Sequence, residues 1–108
     1  MPRFVMVAQS AARPDQAEAY NRWYDDHHFP EICAMPGVTG GRRFDAALMP
    51  MGAPGQPYLA IYEIDCEDAG AFMAELGRRM ANGEMTPTPE ALDADSAVIW
   101  FYRQRETV

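Results

Sequence analysis

The stretch NRWYDDHHFPEICAMPGV, Asn21 to Val38, sets aromatics and acids beside both of the chain's histidines. An imidazole titrates near pH 6.5, so it can take or return a proton at neutral pH. A tyrosine hydroxyl beside it can donate to an oxygen on which negative charge develops. Side chains of these types suit proton transfer on a small molecule: isomerisation, cyclisation, lyase chemistry or oxygenation of an electron-rich substrate. His28 and Tyr24 are the candidate catalytic pair.

Other chemistries find less support. Adjacent histidines lack the i, i+4 spacing that points two ligands from one helical face, and no third metal ligand is evident. No nucleophile elbow, phosphate loop or dinucleotide fingerprint occurs. The chain carries a formal net charge of −7 and its nine basic residues are all arginine, with no basic block. Nucleic acid and anionic membrane surfaces are therefore poor partners. No segment approaches the roughly 20 apolar residues that cross a bilayer. The N-terminus, MPRFVMVAQS, is too short in its apolar part for a secretory signal, so Cys33 and Cys66 are expected as reduced thiols in the cytoplasm.

The elements that must hold the histidines follow from periodicity. At 108 residues the chain has the size of one domain, 1–108. RFVMVAQ (Arg3 to Gln9) reads as a strand covered on both faces. Pro14 and Asp15 suit a helix start, and the helix is expected to run to about His28. Pro30 has no N–H, and its ring crowds the carbonyl four residues back, so the helix should kink or stop there. Val38 to Leu48 reads as a second strand, with Gly40 and Gly41 marking a bulge or a close approach. Met49 to Pro57 is a loop, and Tyr58 to Ile64 a third strand. EDAGAFMAELGRRMANG is a second helix, with Ala69, Phe72, Met73, Leu76 and Met80 on one stripe. A proline-bearing connection then leads to a last strand, Ser96 to Gln104.

The order is β-α-β-β-α-β. It predicts an α+β, ferredoxin-like fold: a four-stranded antiparallel sheet with both helices on one face. Val98, Trp100 and Tyr102 alternate with Ala97, Ile99 and Phe101, so the face without helices is also apolar. A second copy of the sheet is its simplest cover, and a homodimer is expected.

With its order of elements and WYDDHHFPEICAMPGV at the end of the first helix, the chain resembles the dimeric α+β barrel superfamily. Within it the segment is similar to EthD-like small proteins, whose first helix carries an aromatic followed by His-x-Pro: here Tyr24, His28 and Pro30. The likeness of topology covers nearly the whole chain, and that of the motif about residues 20 to 44. It implies a dimer and a small-molecule ligand. The superfamily includes cofactor-independent monooxygenases, muconolactone isomerases, polyketide cyclases and haem-binding enzymes, so the resemblance names a fold and not a reaction.

On a helical wheel of about 100° per residue, Tyr20, Tyr24, His27, His28 and Glu31 share one face and Trp23 sits at its edge. Asp15, Glu18, Arg22 and Asp26 take the solvated side. Adjacent histidines diverge by about 100°, so one must turn away. His28, which matches His-x-Pro, is taken as functional and His27 as second. Large aromatics also dominate packing, so Tyr20, Trp23 and Tyr24 suit a core as well as a pocket wall. The expected pocket lies between the first helix and the sheet, lined by Tyr20, Trp23, Tyr24, His28 and Tyr62, with Trp100 behind. Alternation sends Arg42 and Arg43 to opposite faces, and Arg42 is the candidate for an anionic group, against a salt bridge to Glu63. An apolar, aromatic or polyketide-like ligand and no cofactor are expected. The alternatives are a haem-binding protein or haem-dependent enzyme, with His28 as axial ligand in an interior rich in methionine, and a non-catalytic small-molecule binding or auxiliary protein.

Overall fold

The computed structural model describes residues 2–52 and 55–106. Within the expected loop Met49 to Pro57, residues 53 and 54 lie outside the described part, as do residues 1, 107 and 108. The elements are β1 (Arg3–Ala12), α1 (Ala17–Trp23), a π-helical turn (Tyr24–His28), α2 (Phe29–Cys33), β2 (Val38–Asp45), β3 (Tyr58–Asp65), α3 (Ala69–Ala81) and β4 (Leu92–Arg103). All four strands pair antiparallel in the order β2-β3-β1-β4. This is the ferredoxin-like α+β arrangement expected from the sequence, with α1, the π turn and α2 standing for the first helix.

Register decides which side chains meet the helices. Met6 of β1 pairs with Tyr62 of β3 and with Phe101 of β4. Their shared face carries Tyr58, Tyr62 and Phe101, whose rings meet Tyr20, Phe29 and Phe72 of the helices. Tyr20, Tyr62, Met6, Ile32 and Ile64 are fully buried between the layers. The other face presents Val98, Trp100 and Tyr102 to solvent, with Trp100 stacked on Tyr102 at 6.4 Å.

The first helix departs from expectation at both ends. Pro14 and Asp15 form a tight turn closed by Gln16 N–H donating to Arg13 O, with Asp15 in the left-handed region at φ 64°. Aspartate tolerates that conformation, and the helix starts only at Ala17. At the other end Pro30 does not stop it. Phe29 N–H reaches back to Tyr24 O, five residues away, and the chain continues helically to Cys33. The wider turn absorbs the proline ring and the missing donor, so the rod is re-phased instead of broken.

Two glycines let this rod sit close to the sheet. A Cβ on Gly41 would meet Phe29 Cζ at 3.1 Å and Cys33 Sγ at 3.2 Å. Gly37, at φ 94°, turns the chain into β2, where a Cβ would meet Asp65 O at 2.7 Å. The pairing of β2 with β3 shifts between Val38 and Gly40, the bulge expected at the glycine pair. The strand ends differ from expectation: β1 continues to Ala12, β2 stops at Asp45 and β4 starts at Leu92. Arg13 N–H donates to Ala91 O, which joins the end of β1 to the start of β4.

Glu31 fastens the connection after α3 to the rod. Its carboxylate accepts from Thr86 N at 2.8 Å and from Thr86 Oγ1 at 2.5 Å. Burial works against the carboxylate, but the Thr86 bonds and the nearby imidazoles of His27 and His28 outweigh it and lower its pKa. Its contribution to stability is thus present above the usual carboxylate pKa and lost as pH falls through the lowered value. Glu31→Ala is expected to cost about 1–3 kcal/mol in denaturant melts and to speed hydrogen exchange at the Thr86 amide. Unchanged exchange at Thr86 would show that the connection is held elsewhere.

Candidate active site

Three successive segments place the site residues. α1 brings Tyr20 and Trp23 inward, and the π turn begins with buried Tyr24 and ends with half-buried His28. The His28 ring lies flat against Trp23, with centroids 4.5 Å apart and planes 19° from parallel. Tyr24 meets the same imidazole edge-on at 5.0 Å. His28 Nδ1 is buried with no hydrogen-bond partner among the described residues. Burial in these apolar surroundings pulls the His28 pKa down to about 4, with Arg43 acting in the same direction and Glu31 against it. The imidazole is therefore neutral at physiological pH.

One wall of a cleft of about 280 Å³ contains His28 and Trp23. Met6 and Ile32 line its depth, α3 supplies Met73, Leu76, Gly77 and Met80, and β4 supplies Ala97 and Ile99. The cleft thus lies between the first helix and the sheet, and α3 closes its far side.

Tyr20, Tyr24 and Tyr62 form a column behind His28 and do not line the cleft. Tyr20 is completely buried, and its hydroxyl shares a 2.5 Å hydrogen bond with Ser10 Oγ. Tyr62 Oη is buried beside the Tyr24 hydroxyl without a hydrogen bond of good geometry to any described residue, and burial, with Tyr24 beside it, raises its pKa far above the ordinary phenol value. Burial likewise raises the pKa of Tyr20 and of Tyr24. These phenols stay protonated, as donors and packing groups.

Other expected positions are corrected as well. Trp100 is not behind the pocket: it pairs with Val7, points to the face away from the helices and is 60% exposed. Arg42 pairs with Ile61 on that same outer face, 3.9 Å from Glu63. Arg43 is the arginine that turns inward, because it pairs with buried Ala60. Its side chain is 15% exposed, and the guanidinium lies 4.2 Å from the Tyr24 ring centroid, bonded to Asp25 Oδ1 at 2.6 Å and Asn21 Oδ1 at 2.9 Å. His27 is solvent-exposed, turned away from His28.

The sequence reading missed the contribution of α3. A signal was present: Gly77 interrupts the apolar stripe Met73, Leu76, Met80 at a position where a packing residue is expected. Thr88, from the connection after α3, also lines the cleft and carried no signal.

No family model and no curated protein matches this chain. Two solved structures do resemble it. One is a candidate monooxygenase from Shewanella loihica PV-4, 17% identical over 99% of each chain with a TM-score of 0.64. This chain and that protein share one α+β fold over nearly their whole lengths. The second structure, an EthD (ethyl tert-butyl ether D) family protein from Bacillus halodurans C-125, is 13% identical with a TM-score of 0.59 and covers 97% of this chain and 100% of its own. At these identities the likeness fixes the fold and leaves the chemistry to the site itself.

Haem fits this cleft poorly. About 280 Å³ is at the small end of ligand cavities, and its one imidazole has its Nδ1 buried away from the opening. Among the described residues no group of three His, Cys, Asp or Glu side chains is arranged to hold a metal ion.

The pH dependence of stability follows from His28. Its folded pKa, about 4, lies below the unfolded value near 6.5, so the unfolded chain binds the proton more readily. The stability it contributes is complete above pH 6.5 and is lost as pH falls toward 4, by about 3 kcal/mol at about 1.4 kcal/mol for each pH unit. His28→Gln is expected to flatten that part of the curve in denaturant melts between pH 7 and pH 4. Parallel curves for the variant and the parent would contradict the burial of an uncharged imidazole.

Proposed function

We propose that this protein is a small-molecule enzyme that works without a cofactor, by acid–base chemistry in the cleft beside His28. The observation that carries this reading is a neutral, partly desolvated imidazole on the wall of an otherwise apolar cleft. Such a group accepts a proton without first having to lose one. Low polarity around it strengthens its electrostatic interactions with a bound ligand. The reaction class this supports is proton transfer at a carbon beside a carbonyl or on an electron-rich ring, leading to isomerisation, cyclisation or elimination, or to oxygenation where dioxygen is the co-substrate and oxidant. Tyr24, which packs on the edge of His28, is a positioning residue in this reading. Trp23 holds the ring from its face.

The same reading includes a homodimer. Trp100, Tyr102 and Val98 form an exposed apolar face, and the sheet of a second subunit would cover it. Light scattering at micromolar concentration is expected to give twice the chain mass, and a monomer would contradict it.

General acid–base catalysis is worth about 10²–10⁴-fold, so His28→Gln is expected to lower turnover by that factor while changing substrate binding much less. Tyr24→Phe is expected to cost less than His28→Gln, and His27→Gln least, since His27 faces solvent. Turnover of the three variants on a substrate found by screening phenols and β-dicarbonyl compounds checks the order. Equal small losses would show that the aromatic cluster only packs.

A further inference from the structure

On its α3 side the cleft is bordered by an exposed glycine, Gly77, in a stripe of otherwise large apolar residues. Met73, Leu76, Gly77 and Met80 stand at i, i+3, i+4 and i+7, the stripe a helix turns toward the layer beneath it, and all four line the cleft. Three are large and apolar. The fourth is a glycine well inside a helix, where it is less favourable than alanine by about 1 kcal/mol. Glycine is usually kept at such a place because another group approaches too closely or because φ is positive. Neither holds here: a Cβ on Gly77 would meet nothing within 4 Å, and Gly77 is not among the positive-φ glycines. Gly77 is exposed where it borders the cleft, so a side chain there would extend into open space at the cleft's mouth.

The chemistry of the lining limits what can fill it. Among the described residues that line the cleft, none is Asp, Glu, Lys or Arg. Polar side chains come from His28, Trp23 and Thr88 alone in that set. Arg43, the inward cation, lies behind Tyr24 and is already bonded to Asp25 and Asn21. A carboxylate or phosphate entering the cleft would give up water with no cation to receive it. A neutral molecule with one hydroxyl or carbonyl would lose little and could bond to the imidazole.

We infer that Gly77 is the residue that sets the size limit of the ligand, and that the ligand is an uncharged, apolar molecule with a single oxygen group directed at His28. This rests on the reading of the cleft as the ligand site, and it adds the ligand's charge and the residue that admits it.

The test uses 2-naphthol and 2-naphthoate, probes of the same ring system that differ in charge, titrated at pH 7 into the parent protein, Gly77→Ala and Gly77→Leu. Binding is followed by calorimetry and by the ring resonances of His28. The parent is expected to bind 2-naphthol with movement of the His28 signals, and 2-naphthoate weaker by about a hundredfold or more. Gly77→Leu is expected to weaken 2-naphthol by about tenfold or more, because its side chain obstructs the cleft's mouth. Gly77→Ala is expected to raise Tm by about 4 °C, as a helical glycine without a steric reason should, and shows that the position accepts a side chain.

Equal or tighter binding of 2-naphthoate would overturn the uncharged ligand. Unaltered 2-naphthol binding in Gly77→Leu, with His28 signals still moving, would overturn the role of Gly77 and leave the cleft as the ligand site. A lower Tm for Gly77→Ala would show a structural need for glycine and overturn the same role. Failure of 2-naphthol to move the His28 signals in the parent would remove the cleft as a ligand site, and with it both readings.

Discussion

A desolvated imidazole is stable only while it stays neutral, and the surroundings of His28 meet that condition on every side. Trp23 covers its face at 4.5 Å and Tyr24 its edge at 5.0 Å. The cleft beyond it brings no charged side chain among the described residues. Glu31 is close enough to favour the protonated form, yet its carboxylate is engaged by Thr86, and burial outweighs its pull. Arg43 disfavours a second cation nearby. The result is an imidazole that carries no charge at neutral pH and is held by packing, not by a partner at its buried nitrogen.

That arrangement is costly, and the cost is concentrated. Trp23 Nε1, His28 Nδ1, Arg43 Nε and Tyr62 Oη are buried polar atoms with no partner among the described residues. Each such atom typically costs about 1–3 kcal/mol, and native structures keep them rare. These four belong to side chains grouped around Tyr24, through which the imidazole and the guanidinium are separated. A purely structural core would replace them with leucine and phenylalanine. Their grouping around one ring beside an apolar cleft is what a site adapted to a ligand would show.

Much of the fold was legible because periodicity 2 and periodicity 3.6 are written in residue order, and the alternation along β4 and the stripe of α3 fell where the structure has them. At Pro30 the rule left a kink or a stop open, and the chain takes neither in simple form: a π turn meets the steric demand of the ring without ending the rod. His27 is exposed and His28 half-buried, as the divergence of adjacent helical residues required. Strand alternation correctly sent one of Arg42 and Arg43 inward, but only the pairing of Arg43 with Ala60 says which. Trp100 was misplaced because an apolar strand position does not state which of two apolar faces it serves. The contribution of α3 is a matter of tertiary packing, visible in sequence only as a glycine where a large residue was due.

The ionisation of His28 can be read directly. In a His27→Gln background one imidazole remains, and its ring carbon and nitrogen shifts can be followed by NMR from pH 8 to pH 3.5. A midpoint near 4, well below the ordinary value of 6.5, is the result expected here. A midpoint at or above 6.5 would mean a solvated or ion-paired imidazole, and would contradict the neutral, desolvated base on which the proposed chemistry depends.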